Sequence, residues 1–269
     1  KLKKEISVIL NISLDHIDRY DSFEDYFETK IKIFENAKYC LFNYDDNFLN
    51  EKIKSNDKNM IPFSIKEEKG YYYYDTNKIL SNGNSISIDI EDISLKGIHN
   101  VSNIIIAAEI ARKVGIDQKN ICRAVKEFEG LEHRFEHFIS YNGIDFINDS
   151  KSTNIDSAKK ALESISGKVI LILGGIPKED DFSDISLFKK SILKIIVYGE
   201  ASHKIYNSLP KDISLERIEK FEDAVQVAIE SAVENSVVLL SPACASFDQF
   251  DNYKERGKKF KNIVERFYA

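Results

Sequence analysis

Four short strings in this chain of 269 residues concentrate side chains able to do chemistry. In Asp15-His16-Ile17-Asp18-Arg19 an imidazole stands among two carboxylates and a guanidinium. That density suits a metal and phosphate site, and equally a surface cluster of salt bridges. Lys30 shares a helical stripe with Phe23, Phe27 and Phe34. A charge on an apolar face must be paired or neutralised, unless its stem lies on the core and its ammonium reaches water. Asn148-Asp149-Ser150-Lys151-Ser152-Thr153-Asn154 ends a strand and opens a helix at Thr153. Free N–H groups at a helix start attract anions, and Lys151 adds a point charge. An ordinary cap by Thr153 or Asp149 would explain single residues of the run but hardly all of it. In Ser241-Pro242-Ala243-Cys244-Ala245-Ser246, followed by Phe247, Asp248 and Tyr253, small side chains would let a ligand reach backbone amides. The same smallness serves close strand-to-helix packing, with Tyr253 a core aromatic of the last helix.

The elements that must hold these strings follow from periodicity. EISVILNI reads as a buried opening strand, and Ser22 with Asp25 caps a helix over about 22–36. KYCLFNY, MIPFSI, GYYYYDT and SISIDI are β-rich runs between turn-forming clusters, expected to make a small antiparallel sheet. Asn100 is expected to cap a helix that stops at Gly115, and a second helix runs from about Asp117 to Phe128. Gly130 marks a domain boundary. Beyond it come a hairpin with an Asn142-Gly143 turn, a helix after Thr153, strand KVILILGG, a helix, strand KIIVYG, a helix, strand SVVLLSPA and a final helix. Such alternation implies a parallel Rossmann-like sheet, whose ligands lie beyond the carboxyl ends of its strands.

Composition narrows the partners. A net charge of -6 in a chain that is 30% charged gives no broad grip on nucleic acid or anionic membrane. No apolar run is long enough to cross a bilayer and no signal peptide opens the chain, so the expected compartment is the cytoplasm. Cys40, Cys122 and Cys244 are too scattered to suggest a disulfide framework or a zinc site. Gly174-Gly175-Ile176-Pro177-Lys178 is neither GxGxxG nor GxxxxGK[ST], and no Walker-type loop occurs anywhere.

In this order LDHIDRYDSFEDYFETK, GIHNVSNIIIAA, GLEHRFE, NDSKSTN and SPACASFDQF resemble the Mur ligase superfamily and, within it, the D-glutamate-adding MurD family. The resemblance spans nearly the whole chain. It implies an α/β fold: residues 1–130 as the C-terminal part of a P-loop-type central, ATP-binding ligase domain, and 131–269 as a Rossmann-like C-terminal domain. It also implies an ATP- and magnesium-dependent ligase of peptidoglycan precursor synthesis, expected to be monomeric. In that reaction D-glutamate joins UDP-N-acetylmuramoyl-L-alanine through an acyl phosphate. By resemblance His16 helps hold magnesium, and Lys30 becomes a carbamate facing the same metal. Asn100, Asn103, His133 and Arg134 match ATP-site positions; Asp149 and Lys151 lie where nucleotide and domain closure meet. Thr153, Lys178, Ala245, Ser246, Phe247 and Tyr253 match the D-glutamate pocket.

Three departures accompany the likeness. The UDP-binding domain and the P-loop half of the central domain do not occur in this sequence, so the chain alone is expected to be inactive. Ile176 and Pro177 stand where the family usually has an aspartate nearby, and Tyr253 where phenylalanine is common. A non-catalytic module derived from a ligase remains the alternative; a Rossmann oxidoreductase is disfavoured because the glycine-rich first turn is missing.

Overall fold

The computed structural model describes residues 3–12, 20–53, 59–66, 72–75, 78–81, 87–89, 93, 95, 98–178 and 181–269. The chain divides into two compact units, Lys1–Glu129 and Gly130–Ala269.

In the first unit β1 (Lys4–Ile9), β2 (Ala37–Asn43) and β3 (Met60–Phe63) form a parallel sheet, with α1 (Phe23–Ile31) and α2 (Asn47–Lys52) between successive strands. Alternation along β2 serves two cores. Cys40 and Phe42 join Phe27, Phe34 and Leu49, while Leu41 joins Ile104, Ile105 and Ala108 from α3 (Ile98–Lys113) and Ile121 from α4 (Gln118–Glu127). The expected antiparallel sheet is therefore corrected in part. KYCLFN and MIPF pair in parallel; only β4 (Tyr72–Asp75), β5 (Lys78–Ser81) and β6 (Ser87–Asp89) are antiparallel. The expected helix over 22–36 ends as α-helix at Ile31 and tightens into a 3-10 turn over Lys32–Phe34, with Ser22 Oγ accepting from Asp25 N at 3.1 Å. Asn100 lies inside the first turn of α3 rather than capping it, and Gly115 ends that helix at φ 90°.

In the second unit six strands run in the order β11-β10-β9-β12-β8-β7. The hairpin β7 (Glu136–Tyr141) and β8 (Ile144–Asn148) turns through Asn142 and Gly143 at φ 49° and 73°, the left-handed pair that a tight hairpin needs. The other pairings are parallel: β8 with β12 (Ser236–Leu240), β12 with β9 (Lys168–Gly174), β9 with β10 (Ile192–Tyr198), and β10 with β11 (Leu215–Arg217). Val169, Leu171 and Leu173 face α5 (Ile155–Glu163) and α6 (Ser202–Ser208). Ile170 and Ile172 face α7 (Phe221–Glu230) and α8 (Tyr253–Tyr268). A sheet covered on both faces reads as unbroken apolar strands, as VILIL does. Two expectations change here: β9 and β10 are joined through a 3-10 segment, Ser183–Phe188, rather than an α-helix, and the short β11 was not foreseen. Among the described residues no helix is long and apolar enough to cross a membrane.

Candidate functional site

Because β12 lies between β8 and β9, the loops leaving the carboxyl ends of these three strands are neighbours. They carry residues 149–154, 175–178 and 241–248. Two of the four reactive strings, together with the Gly174–Lys178 segment, thus meet where a doubly wound sheet places its ligand.

Arg256, in the first turns of α8, holds the loops together from beneath. It is fully buried. Its Nε donates to Ser150 Oγ at 3.0 Å, and Nη2 donates to Ser150 O at 2.8 Å and Cys244 O at 3.1 Å. Nη1 donates to Tyr198 Oη at 3.2 Å and Gly174 O at 3.4 Å. Every N–H direction of the guanidinium has a partner, which is what makes its burial tolerable. Two glycines make the approach possible. A Cβ on Gly175, at φ 126°, would lie 2.0 Å from Ala245 O, and one on Gly174, at φ 143°, 2.2 Å from Tyr198 O. The second and third loops are further joined by reciprocal bonds, Ile176 N to Ala245 O at 2.8 Å and Ala245 N to Ile176 O at 2.9 Å. Sequence reasoning missed Arg256, which there looks like one more cation of a charged terminal helix. The available signal was Gly257 inside that helix, where glycine usually marks a close approach.

Above the arginine sits Asp149. Its Oδ2 accepts from Ser241 Oγ at 2.8 Å and its Oδ1 from Phe135 N at 3.1 Å. Burial raises its pKa from 3.8 to about 7, against the opposing pull of those two donors and of Arg134 and Arg256. Lys151 places its ammonium 4.3 Å from the centroid of the Tyr253 ring and donates its backbone N–H to His133 O at 3.0 Å. The cap of α5 is Asn154, whose side chain accepts from Ser157 N, and not Thr153 or Asp149 as expected. Thr153 is half-buried just before it.

His133 is buried with a left-handed backbone, φ 68°. Burial lowers its pKa, with Glu132 and Glu136 opposing, so the ring favours the neutral form. Among the described residues Glu132, His133 and Glu136 are a group whose ligand atoms lie within 4.8 Å of one another. The Lys261 ammonium already balances both carboxylates, at 3.3 Å from Glu132 and 2.6 Å from Glu136. Among the described residues three side-chain atoms are buried without a hydrogen-bond partner: His133 Nε2, Ser152 Oγ and Asp248 Oδ1. The first two, with the exposed Arg134, Lys151 and the start of α5, suit an anionic ligand rich in acceptors.

The remaining expected residues differ in exposure and in the unit that carries them. Ala245 and Ser246 are buried in the third loop, Phe247 is 68% exposed, Tyr253 is half-buried, and Lys178 is exposed at the end of the second loop. Asn100 is half-buried and Asn103 exposed, one turn apart on α3 in the other unit. His16 lies outside the described residues. Lys30 is corrected from an apolar stripe to an exposed position, its ammonium 5.1 Å from the Tyr26 ring centroid. The stem-on-the-core reading fits it better.

Comparison with known proteins gives matches over both units. Residues 1–111 match the Mur ligase middle domain, and residues 133–244 the Mur ligase glutamate ligase domain. A UDP-N-acetylmuramoylalanine--D-glutamate ligase of Thermoanaerobacter sp. (strain X514) is 40% identical over 98% of this chain, which spans 61% of that relative's length. A pseudomurein peptide ligase type C from Methanothermus fervidus has a TM-score of 0.75 at 19% identity, over 98% of this chain and 63% of its own. A MurF ligase from Thermotoga maritima, solved in complex with ADP, has a TM-score of 0.69 at 16% identity, over 98% of this chain and 63% of its own. At such identities the two structures show the fold alone.

Proposed function

The chain belongs to the Mur ligase family, and on that premise we propose that it is the greater part of an ATP-dependent ligase that adds D-glutamate to UDP-N-acetylmuramoyl-L-alanine. The observation that carries this reading is the joining of three strand-end loops by one buried arginine. That arrangement gathers Lys151 and Thr153, Lys178, and Ser246 around the ends of parallel strands. A dicarboxylate needs charge-assisted or hydroxyl donors at both ends, and Lys178, Thr153 and Ser246 supply an ammonium and two hydroxyls.

The L-alanine carboxylate takes the γ-phosphoryl group of ATP to form an acyl phosphate. The amine of D-glutamate then attacks the acyl carbon, phosphate leaves and the amide forms. In this reading Lys151 and Arg134 face the nucleotide, whose phosphates carry the charge these cations meet, and Asn100 and Asn103 are read as ATP-site residues by the family resemblance. Lys178, Thr153 and Ser246 orient the amino acid, with Ala245, Phe247 and Tyr253 shaping its pocket. Lys30 and His16 are read as the magnesium side of the reaction, Lys30 as a carbamate. With 13C-bicarbonate a carbamate resonance is expected in the metal-loaded protein and not in Lys30→Ala. The reaction is read as cytoplasmic and carried out by a monomer.

The test is ligation by the protein at its full encoded length. Phosphate release from ATP is expected to require both UDP-N-acetylmuramoyl-L-alanine and D-glutamate. Release supported by another amino acid instead of D-glutamate would move the chain to a different branch of the family.

A further inference from the structure

Asn148, the last residue of β8, is fully buried and lies against the His133 ring. Its amide has a definite orientation. Oδ1 accepts from Ser150 N at 3.2 Å, and Nδ2 faces Glu136 Oε2 at 3.1 Å and Gly257 O at 3.4 Å. Those last two atoms can only accept, so the opposite orientation would set oxygen against oxygen on that side. The third neighbour of Nδ2 is His133 Nδ1, at 2.9 Å. An amide nitrogen only donates, so Nδ1 must offer its lone pair, and the proton of the neutral ring stands on Nε2.

The ring has little freedom to escape this arrangement. A Cβ on Gly257 would lie 2.3 Å from His133 Nδ1, and the Tyr253 ring meets the imidazole edge-on with centroids 6.2 Å apart. The His133 backbone N–H donates to Glu136 Oε2 at 2.9 Å, and Glu136 is steadied by Lys261. Nε2 itself is buried and unpartnered, with Glu132 Oε2 at 3.8 Å, beyond hydrogen-bond length.

We propose that Asn148 is a positioning residue that locks His133 as the Nε2–H tautomer and so keeps that N–H aimed as a donor for an acceptor on the bound nucleotide. The identity of the ligand rests on the function proposed above; the lock does not. A buried donor left unmet is unfavourable, and a ligand acceptor at that point removes the penalty.

Nitrogen NMR on the 269-residue chain labelled with 15N-histidine separates the possibilities, with His133 assigned by loss of its signals in His133→Gln. Long-range proton–nitrogen correlations are expected to show an unprotonated Nδ1 and a protonated Nε2. Asn148→Asp replaces the donor with an acceptor of the same shape, and is expected to move the proton to Nδ1 or to charge the ring. A wild-type ring with its proton on Nδ1, or as a mixture of tautomers, overturns the proposal, as does an unchanged pattern in Asn148→Asp. Should that variant fail to fold, the wild-type spectrum alone decides. Added ADP is expected to shift Nε2. An unmoved Nε2 in a ring of the stated tautomer upholds the lock and counts against the nucleotide reading.

Discussion

Asp149 carries opposing demands that its environment resolves in favour of the proton. Its carboxyl is buried, accepts two hydrogen bonds and feels two arginines, yet burial outweighs them and raises the pKa from 3.8 to about 7. A carboxyl whose folded pKa is raised favours folding when protonated. Its stabilising contribution is full below about pH 4 and is lost as pH rises toward about 7. Asp149→Asn keeps the shape and needs no proton. Its stability relative to wild type is therefore expected to increase across that window and level off above it, by on the order of a few kcal/mol in total. Urea midpoints at matched pH values measure this; parallel profiles for the two proteins would show that Asp149 is ionised in the fold throughout. If Lys178 holds D-glutamate as proposed, Lys178→Ala removes a charged donor worth about 1.5–3 kcal/mol. The KM for D-glutamate is expected to rise roughly ten- to hundredfold, with that for ATP nearly unchanged. The reverse pattern would take Lys178 out of the amino-acid pocket. Asp149 was legible because it sits in a short polar string directly after an apolar strand, whereas Lys178 was singled out only by the family resemblance.

At the scale of elements, α8 supplies what such strings could not show. Its residues Arg256 and Gly257 face the sheet together, the first joining three loops and the second making room for His133. Arg256→Lys keeps the charge but cannot span three carbonyls and two hydroxyls. It is expected to cost on the order of 3 kcal/mol or more in unfolding free energy, since buried acceptors are left unmet. A loss below about 1 kcal/mol would mean that the loops are held by other contacts. Gly257→Ala is a helix-favouring change on an exposed helix, yet here its Cβ would collide with the ring 2.3 Å away. A loss of about 1–3 kcal/mol and a displaced His133 resonance are expected. Strand–helix alternation in residues 131–269 was legible because apolar runs and caps are local signals. Pairing was not. MIPF reads the same whether its neighbour runs parallel or antiparallel, and its neighbour in the sheet, β2, was assigned from a local run alone. The three residues of β11 are too few to set a period, and the segment Ser183–Phe188 has helical composition without the length of an α-helix.

For the whole molecule, the division at Glu129 and Gly130 leaves the second unit with its own sheet, core and strand-end loops. Every strand pairing of the six-stranded sheet is internal to Gly130–Ala269, and both of its apolar faces are covered by helices of the same unit. Arg256 and all its acceptors, Asp149 and its donors, and Asn148 with His133 also lie within it. A unit that contains its own core and meets its buried arginine and aspartate from within has what autonomous folding requires. Residues 130–269 expressed alone are therefore expected to unfold in one cooperative urea transition and to keep the His133 nitrogen signature of the full chain. A fragment with native-like secondary structure but no cooperative transition would show that its packing depends on residues 1–129.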